Sequence, residues 1–153
     1  MDAGDVYSQK EIELSKTETA SDLYKTCGEI GAEMLVRDLP KIISGEIKGQ
    51  KQDDSQAKYC QLLKKSDALL SQDMQTAKQA EQQIRAFEIF PKSKIKLGEH
   101  LIIIKSAKVV NSNPENSPLT LKFAEGTFLK LERLITPNGK ETTAESFENG
   151  YLK

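Results

Sequence analysis

The apolar residues of this 153-residue chain change their period at Pro91, and that change constrains the fold more than any single motif. Upstream, Ala77, Ala80, Ile84 and Phe87 are spaced 3, 4 and 3, which places them on one face of a helix. An earlier set, Leu23, Cys27, Ile30 and Met34, is spaced 4, 3 and 4 and predicts a second amphipathic helix. Pro91 offers no backbone N–H and stops the helix before it. Downstream the pattern belongs to strands: residues 94–97, a Gly98-Glu99 turn, residues 101–105, and a stretch at 108–110 that adds a strand or prolongs that one. Residues 119–123, a Glu125-Gly126 turn and residues 127–135 predict a hairpin, with Phe123 and Phe128 expected in the core. The fold class is therefore α+β.

Residues 6–14 alternate as a strand would. Thr19-Ala20-Ser21-Asp22 predicts a capping box at the start of the first helix. Pro40 sits where a helix restarts after Asp38, because its first turn needs no N–H, and Gly45 ends the apolar face. Residues 48–58 are polar and aperiodic, a linker with at best a short strand near 48–51. Residues 111–118 read as a surface loop, Pro137-Asn138-Gly139-Lys140 as a turn, and Thr143 as the cap of a last short helix. Three segments follow: 1–52, strand–helix–strand; 53–91, linker and connector helix; and 92–153, a small antiparallel barrel. A single strand and helix bury too little surface for a core. The first segment is therefore expected to pack on something outside the chain, on the connector or on a second copy.

Charge narrows the partners. Residues 1–91 carry 12 Lys and Arg against 16 Asp and Glu, whereas residues 92–153 carry 10 against 7. The basic half is where a polyanion would dock. No apolar run reaches the ~20 residues of a membrane helix. The acidic N-terminus has no signal-peptide core, which predicts a cytoplasmic protein. Cys27 and Cys60 stand apart, far from metal-ligand spacing, and read as reduced thiols; no metal site is expected.

Asp2-Ala3-Gly4 opens the chain as an acidic turn, and Asp-x-Gly alone is common in turns. In order after it come Thr19, Leu23-Tyr24, Gly31, Gly45-Glu46-Ile47, Tyr59, Lys64-Lys65, Ile84-Arg85-Ala86-Phe87 with Pro91, and Ile95-Lys96-Leu97-Gly98. That succession resembles the methionyl-tRNA formyltransferase family, from its catalytic Asp loop to its C-terminus. Departures are visible: Tyr7 stands where the family usually has an aliphatic residue or Thr, Glu88-Ile89-Phe90 fills the place of a Pro before the aromatic, and the chain has no Trp. It is also shorter than the family's barrel by about one hairpin arm.

The resemblance implies a Rossmann-like catalytic-domain remnant over residues 1–52, a connector, and an OB-like barrel that faces tRNA. It implies formyl transfer from 10-formyltetrahydrofolate to the amino group of initiator methionyl-tRNA. Asp2 maps onto the catalytic carboxylate and Gly4 onto the loop bordering the folate pocket. An amine attacking a formyl carbonyl builds charge on oxygen and nitrogen, so such a site needs oxyanion donors and a proton route. The family's Asn and His partners come earlier in its chain. Here the single histidine, His100, lies in the strand region and matches no catalytic position, and no Asn-x-His occurs. The missing N-terminal half is thus an expected partner, and the chain alone is expected to be inactive.

Expected phosphate contacts are Lys92, Lys94, Lys96, Lys105, Lys108, Lys122, Lys130 and Arg133. Arg85 reads as a helix-end residue more readily than as a phosphate ligand. Two other readings remain open: a stand-alone or split RNA-binding module, and a formyltransferase half acting on a sugar amine.

Overall fold

The computed structural model describes residues 3–113 and 116–152. They form two compact units, one ending at Leu62 and one beginning at Leu63.

The first unit is built on helix α1, Ala20–Ile43. Its start is the expected capping box: the Thr19 hydroxyl accepts from the Asp22 N–H at 3.3 Å, and the Asp22 carboxylate accepts from the Thr19 N–H at 2.9 Å. Pro40 does not restart a helix. It lies in the last turn of one continuous helix, where the single backbone bond it forfeits costs little propagation. Gly45, at φ +78°, takes the left-handed turn that closes the end, donating to the Ile42 carbonyl at 3.1 Å.

The strand expected over residues 6–14 is absent. Only Val6 pairs, with Gln50, through two antiparallel backbone bonds of 2.9 Å, and residues 7–15 run without a ladder. Alternation makes a strand only when a neighbouring strand accepts its backbone groups, and no described segment forms a ladder with residues 7–15. On α1, Leu23, Ile30, Met34 and Ile42 are partly buried, while Cys27 is exposed. Beside them Tyr24, Leu35, Val36, Leu39 and Ile43 stand largely in solvent.

The second unit carries helix α2, Ala77–Ala86, and a five-stranded antiparallel sheet. Its strands are β1 (Lys94–Leu97), β2 (His100–Val110), β3 (Thr120–Lys122), β4 (Phe128–Ile135) and β5 (Glu141–Thr143). The order is β1-β2-β4-β3, with β5 also on β4. Residues 108–110 prolong β2, which shifts register on either side of Ser106. α2 buries Ala77, Ala80 and Ile84 as its spacing predicts, and its N-terminus closes with a second capping box from Thr76 and Gln79. Helix α3, Ala144–Phe147, is capped by Thr143, whose hydroxyl accepts from the Ser146 N–H at 3.2 Å.

The core gathers Ile84 of α2, Ile95 and Leu97 of β1, Ile102 and Ile104 of β2, Leu129, Leu131 and Leu134 of β4, and Phe147 of α3. β1 and β2 contribute alternate residues and β4 contributes Leu129, Leu131 and, past the irregularity in register, Leu134, so one face of the sheet is apolar and covered by the helices. His100 heads β2 and meets Tyr151 and Phe147 edge-on at centroid distances of 5.4 and 6.3 Å, a packing role that agrees with its strand-or-turn reading.

The expected barrel does not close. The outer edge of β4 is shared by β3, opposite residues 128–130, and β5, opposite residues 133–135, each only three residues long. The free edge of β1 meets neither; it takes a single parallel bridge from Leu69, with the Leu70 N–H on the Lys94 carbonyl at 2.8 Å. Closure needs an unbroken ladder between the first and last strands, and these edges are too short to supply one.

Candidate functional site

Asp2, the expected catalytic carboxylate, lies outside the described residues. What can be followed is how the segment after it is held. The Gly4 carbonyl accepts from Gln52 Nε2 at 2.8 Å, and two residues on Val6 and Gln50 exchange their backbone bonds. Gly49 lies beneath both: a Cβ there would fall 2.6 Å from Cβ of Asp5 and 3.0 Å from the Tyr7 ring. Only a residue without a side chain lets the two segments approach this closely. The sequence reading did not single out Gly49, because nothing local to it marks a contact more than forty positions away.

An open cleft of about 870 Å³ adjoins this clamp, lined by Val6, Gln50, Gln52, Asp53, Tyr59 and Cys60 among others. Tyr59 is fully presented, and Gly4 is exposed. Behind the clamp, Asp38 of α1 is buried and accepts two 2.6 Å bonds from the Arg37 guanidinium. Those bonds first, and a Ser8 hydroxyl after them, hold its carboxyl down at about 2. Nothing in the sequence around Asp38 marked this carboxylate as buried.

The eight expected phosphate-binding cations all lie in the second unit, and pairing register decides which share a surface. Partners in an antiparallel ladder point to the same face. Lys108 pairs with Lys130, which pairs on its other side with Thr120; Val110 pairs with Phe128, which pairs with Lys122. Leu129, one residue along, is in the core, so Lys108, Lys122 and Lys130 occupy the opposite, outer face. Lys94 and Lys96 flank the buried Ile95 on β1 and emerge on that same face, as does Arg133 beside the buried Leu134. Lys92 stands exposed just before β1, and Lys105 lies at the irregularity in β2.

Three of these cations have acidic neighbours. Lys108 Nζ is 3.0 Å from Glu132, Arg133 is 2.8 Å from Glu141, and Lys105 is 3.9 Å from Glu88. The more exposed pairs, those of Lys108 and Arg133, are worth about 0–1 kcal/mol, so a phosphate can compete for these two cations. Among the described residues, Lys92, Lys94, Lys96, Lys122 and Lys130 have no carboxylate within ion-pair distance. Arg85 forms a two-pronged bond to Glu81 at 2.6 and 3.2 Å, one helical turn away on α2, in keeping with its structural reading.

Two of the sheet's aromatics part company. Phe123 is in the core, as expected. Phe128 is not: it is partly buried on the outer face, in the same cross-strand row as Lys122. Strand parity separates them, since Phe128 directly precedes the inward-facing Leu129. Among the described residues, no helix is long and apolar enough to cross a membrane, and no three His, Cys, Asp or Glu side chains gather as metal ligands would.

No family model matches the chain. Curated relatives do. The methionyl-tRNA formyltransferase of Sulfurihydrogenibium sp. is 31% identical over 99% of this chain and 51% of its own length. That of Lactobacillus delbrueckii subsp. bulgaricus is 32% identical over 100% of this chain and 51% of its length. The chain thus spans about half the length of the curated relatives it matches. Among solved structures, HypX from Aquifex aeolicus in complex with tetrahydrofolic acid superposes with a TM-score of 0.72 at 13% identity, over 99% of this chain and 28% of that one. An N-formyltransferase from Helicobacter canadensis, in complex with folinic acid and dTDP-3-aminofucose, gives 0.64 at 17% identity, over 86% of this chain and 51% of that one. At these identities the structural likenesses concern the fold.

Proposed function

This chain is a homologue of the methionyl-tRNA formyltransferases along its whole length, and on that premise we propose that it works as the C-terminal half of such an enzyme. The end-to-end match carries the reading. In it, residues 1–52 are the last piece of a Rossmann-like catalytic domain, 53–91 the connector, and 92–153 the tRNA-facing domain, a cytoplasmic assembly with no membrane partner. The formyl donor, 10-formyltetrahydrofolate, is a substrate of the assembled enzyme. Asp2 then belongs to the reacting centre, and Gly4 borders the donor's pocket. The cleft beside Gly4, at about 870 Å³, falls within the usual range for small-molecule sites.

The exposed line of Tyr24, Leu35, Val36, Leu39 and Ile43 on α1 supports a place for the other half of the enzyme. An isolated two-residue bridge and one helix hold few apolar contacts of their own, which again favours a partner. The cations of the outer sheet face supply sequence-independent attraction for the initiator methionyl-tRNA.

Two measurements test this. A formylation assay on the chain alone is expected to yield no product above blank. Adding the N-terminal half of the Sulfurihydrogenibium relative is expected to restore product, and to do so poorly with Asp2→Asn. Turnover by the chain alone would overturn its proposed dependence on the other half. Titration with tRNA is expected to give log affinity falling linearly with log salt. Lys122→Ala with Lys130→Ala is expected to make that slope shallower by about 1 to 2. Binding insensitive to salt would remove the phosphate role. The likeness to an N-formyltransferase crystallised with an amino sugar nucleotide keeps a sugar-amine acceptor as the second reading. Formylation of dTDP-3-aminofucose by the reassembled enzyme, in place of methionyl-tRNA, would select it.

A further inference from the structure

We infer that the outer sheet face binds an unpaired RNA strand, with Phe128 as the platform on which one base stacks. This rests on the nucleic-acid reading of that face and names the part of the ligand the face is shaped for.

Burial and register carry it. Phe128 is partly buried yet has no place in the core cluster, although the neighbouring Leu129 is fully buried in it. Its two cross-strand partners are Val110 on one side and Lys122 on the other. Lys130 follows two residues along β4 on the same face, and Lys108 lies diagonally across, opposite Lys130. An aromatic ring therefore stands on a sheet surface among three cations, two of them without a carboxylate within ion-pair distance in the described residues.

Phe128 is only partly buried, so part of its ring stays open to a ligand on this face. A nucleobase covers it, and the phosphates on either side of that base fall to the flanking lysines. A regular duplex offers phosphates to the same lysines but keeps its bases stacked inside, so the ring gains nothing from it. A free strand end satisfies both groups at once. The row Val110–Phe128–Lys122 beside the row Lys108–Lys130–Thr120 fits a backbone running across the sheet, and no base-reading fork of Arg or Asn is needed.

The chain contains no tryptophan, so Phe128→Trp installs a single indole reporter at the platform. The full chain would be titrated with a single-stranded oligoadenylate of about eight nucleotides and with a blunt RNA duplex, at low and moderate salt. We expect quenching of the indole by oligoadenylate and none by the duplex. Phe128→Leu, which keeps apolar bulk without a π face, is expected to weaken oligoadenylate binding by about 5- to 150-fold with an unchanged salt slope. Lys130→Ala is expected to lower the slope for both ligands. Thermal unfolding of Phe128→Leu near that of the parent chain certifies the comparison.

Oligoadenylate binding that leaves the indole unquenched, or equal binding by Phe128→Leu, would overturn the stacking role and leave the cationic face standing. Tighter binding to the duplex than to the strand would do the same. Failure to bind either ligand at low salt would overturn the stacking role together with the nucleic-acid reading beneath it.

Discussion

Gly49 has little to distinguish it in the sequence, yet it sets how the N-terminal turn is held. A methyl group there would sit 2.6 Å from Cβ of Asp5, an atom too close to the main chain to swing away. Gly49→Ala is therefore expected to part the Val6–Gln50 pair, at a cost of about 1–3 kcal/mol for the forced contact. Amide exchange at Val6 and Gln50 reads this directly: it should accelerate in the variant, and unchanged rates would mean the clamp yields without breaking. Asp38 makes the second residue-scale prediction. Its carboxyl is held at about 2 by the Arg37 guanidinium and by Ser8, below the ~3.9 of a free aspartate. A group depressed in the folded state contributes stability above its unfolded pKa and loses it as pH falls through the folded one. The first unit should thus weaken between about pH 4 and pH 2, and Asp38→Asn should flatten that part of the acid limb. Glu18, likewise held at about 2 by the Ser15 hydroxyl and N–H, acts in the same window, so Glu18→Gln isolates its share.

At the scale of elements, caps, apolar spacing and the hairpins β1–β2 and β3–β4 were legible, while the fate of residues 6–14 was not. Thr19 and Asp22, four consecutive positions end to end, form the box the sequence announces, because every atom involved is local. Thr19→Ala should cost α1 about 1 kcal/mol, visible as lost helical circular dichroism on mild heating. The alternation over residues 6–14 misled because a strand is a relation between segments, and beyond Val6 these residues have no ladder among the described residues. In the second unit the same alternation sufficed, since β2 and β4 supply each other's hydrogen bonds over most of their length. Leu129 lies on β4 between Val109 of β2 and Leu121 of β3 and is fully buried. Leu129→Ala should cost about 2–5 kcal/mol, lowering the denaturant midpoint of this unit. A loss well under 1 kcal/mol would mean that the sheet can collapse around the vacancy.

The whole molecule is two units with unequal means of support. The unit from Leu63 onward owns a core shared by a helix and five strands, whereas the one ending at Leu62 hangs on a helix, one bridge and a few side-chain bonds. Unfolding of the chain alone should therefore show two transitions, the first centred on α1, and the N-terminal half of a relative should raise that first one selectively. Coincident transitions would contradict the separation. What the sequence by itself determined is what neighbours along the chain decide: the helix over residues 77–86, its stop before Pro91, the capping box at Thr19, the alternation of residues 92–135, and a succession of motifs that led to the formyltransferases. What only tertiary structure decided depends on residues far apart. It left residues 7–15 without a ladder, kept the sheet open by dividing the edge of β4 between two short strands, and turned Phe128 out among lysines while Phe123 went in. Local spacing reports which residues share a face; only the pairing of distant segments establishes which face is covered.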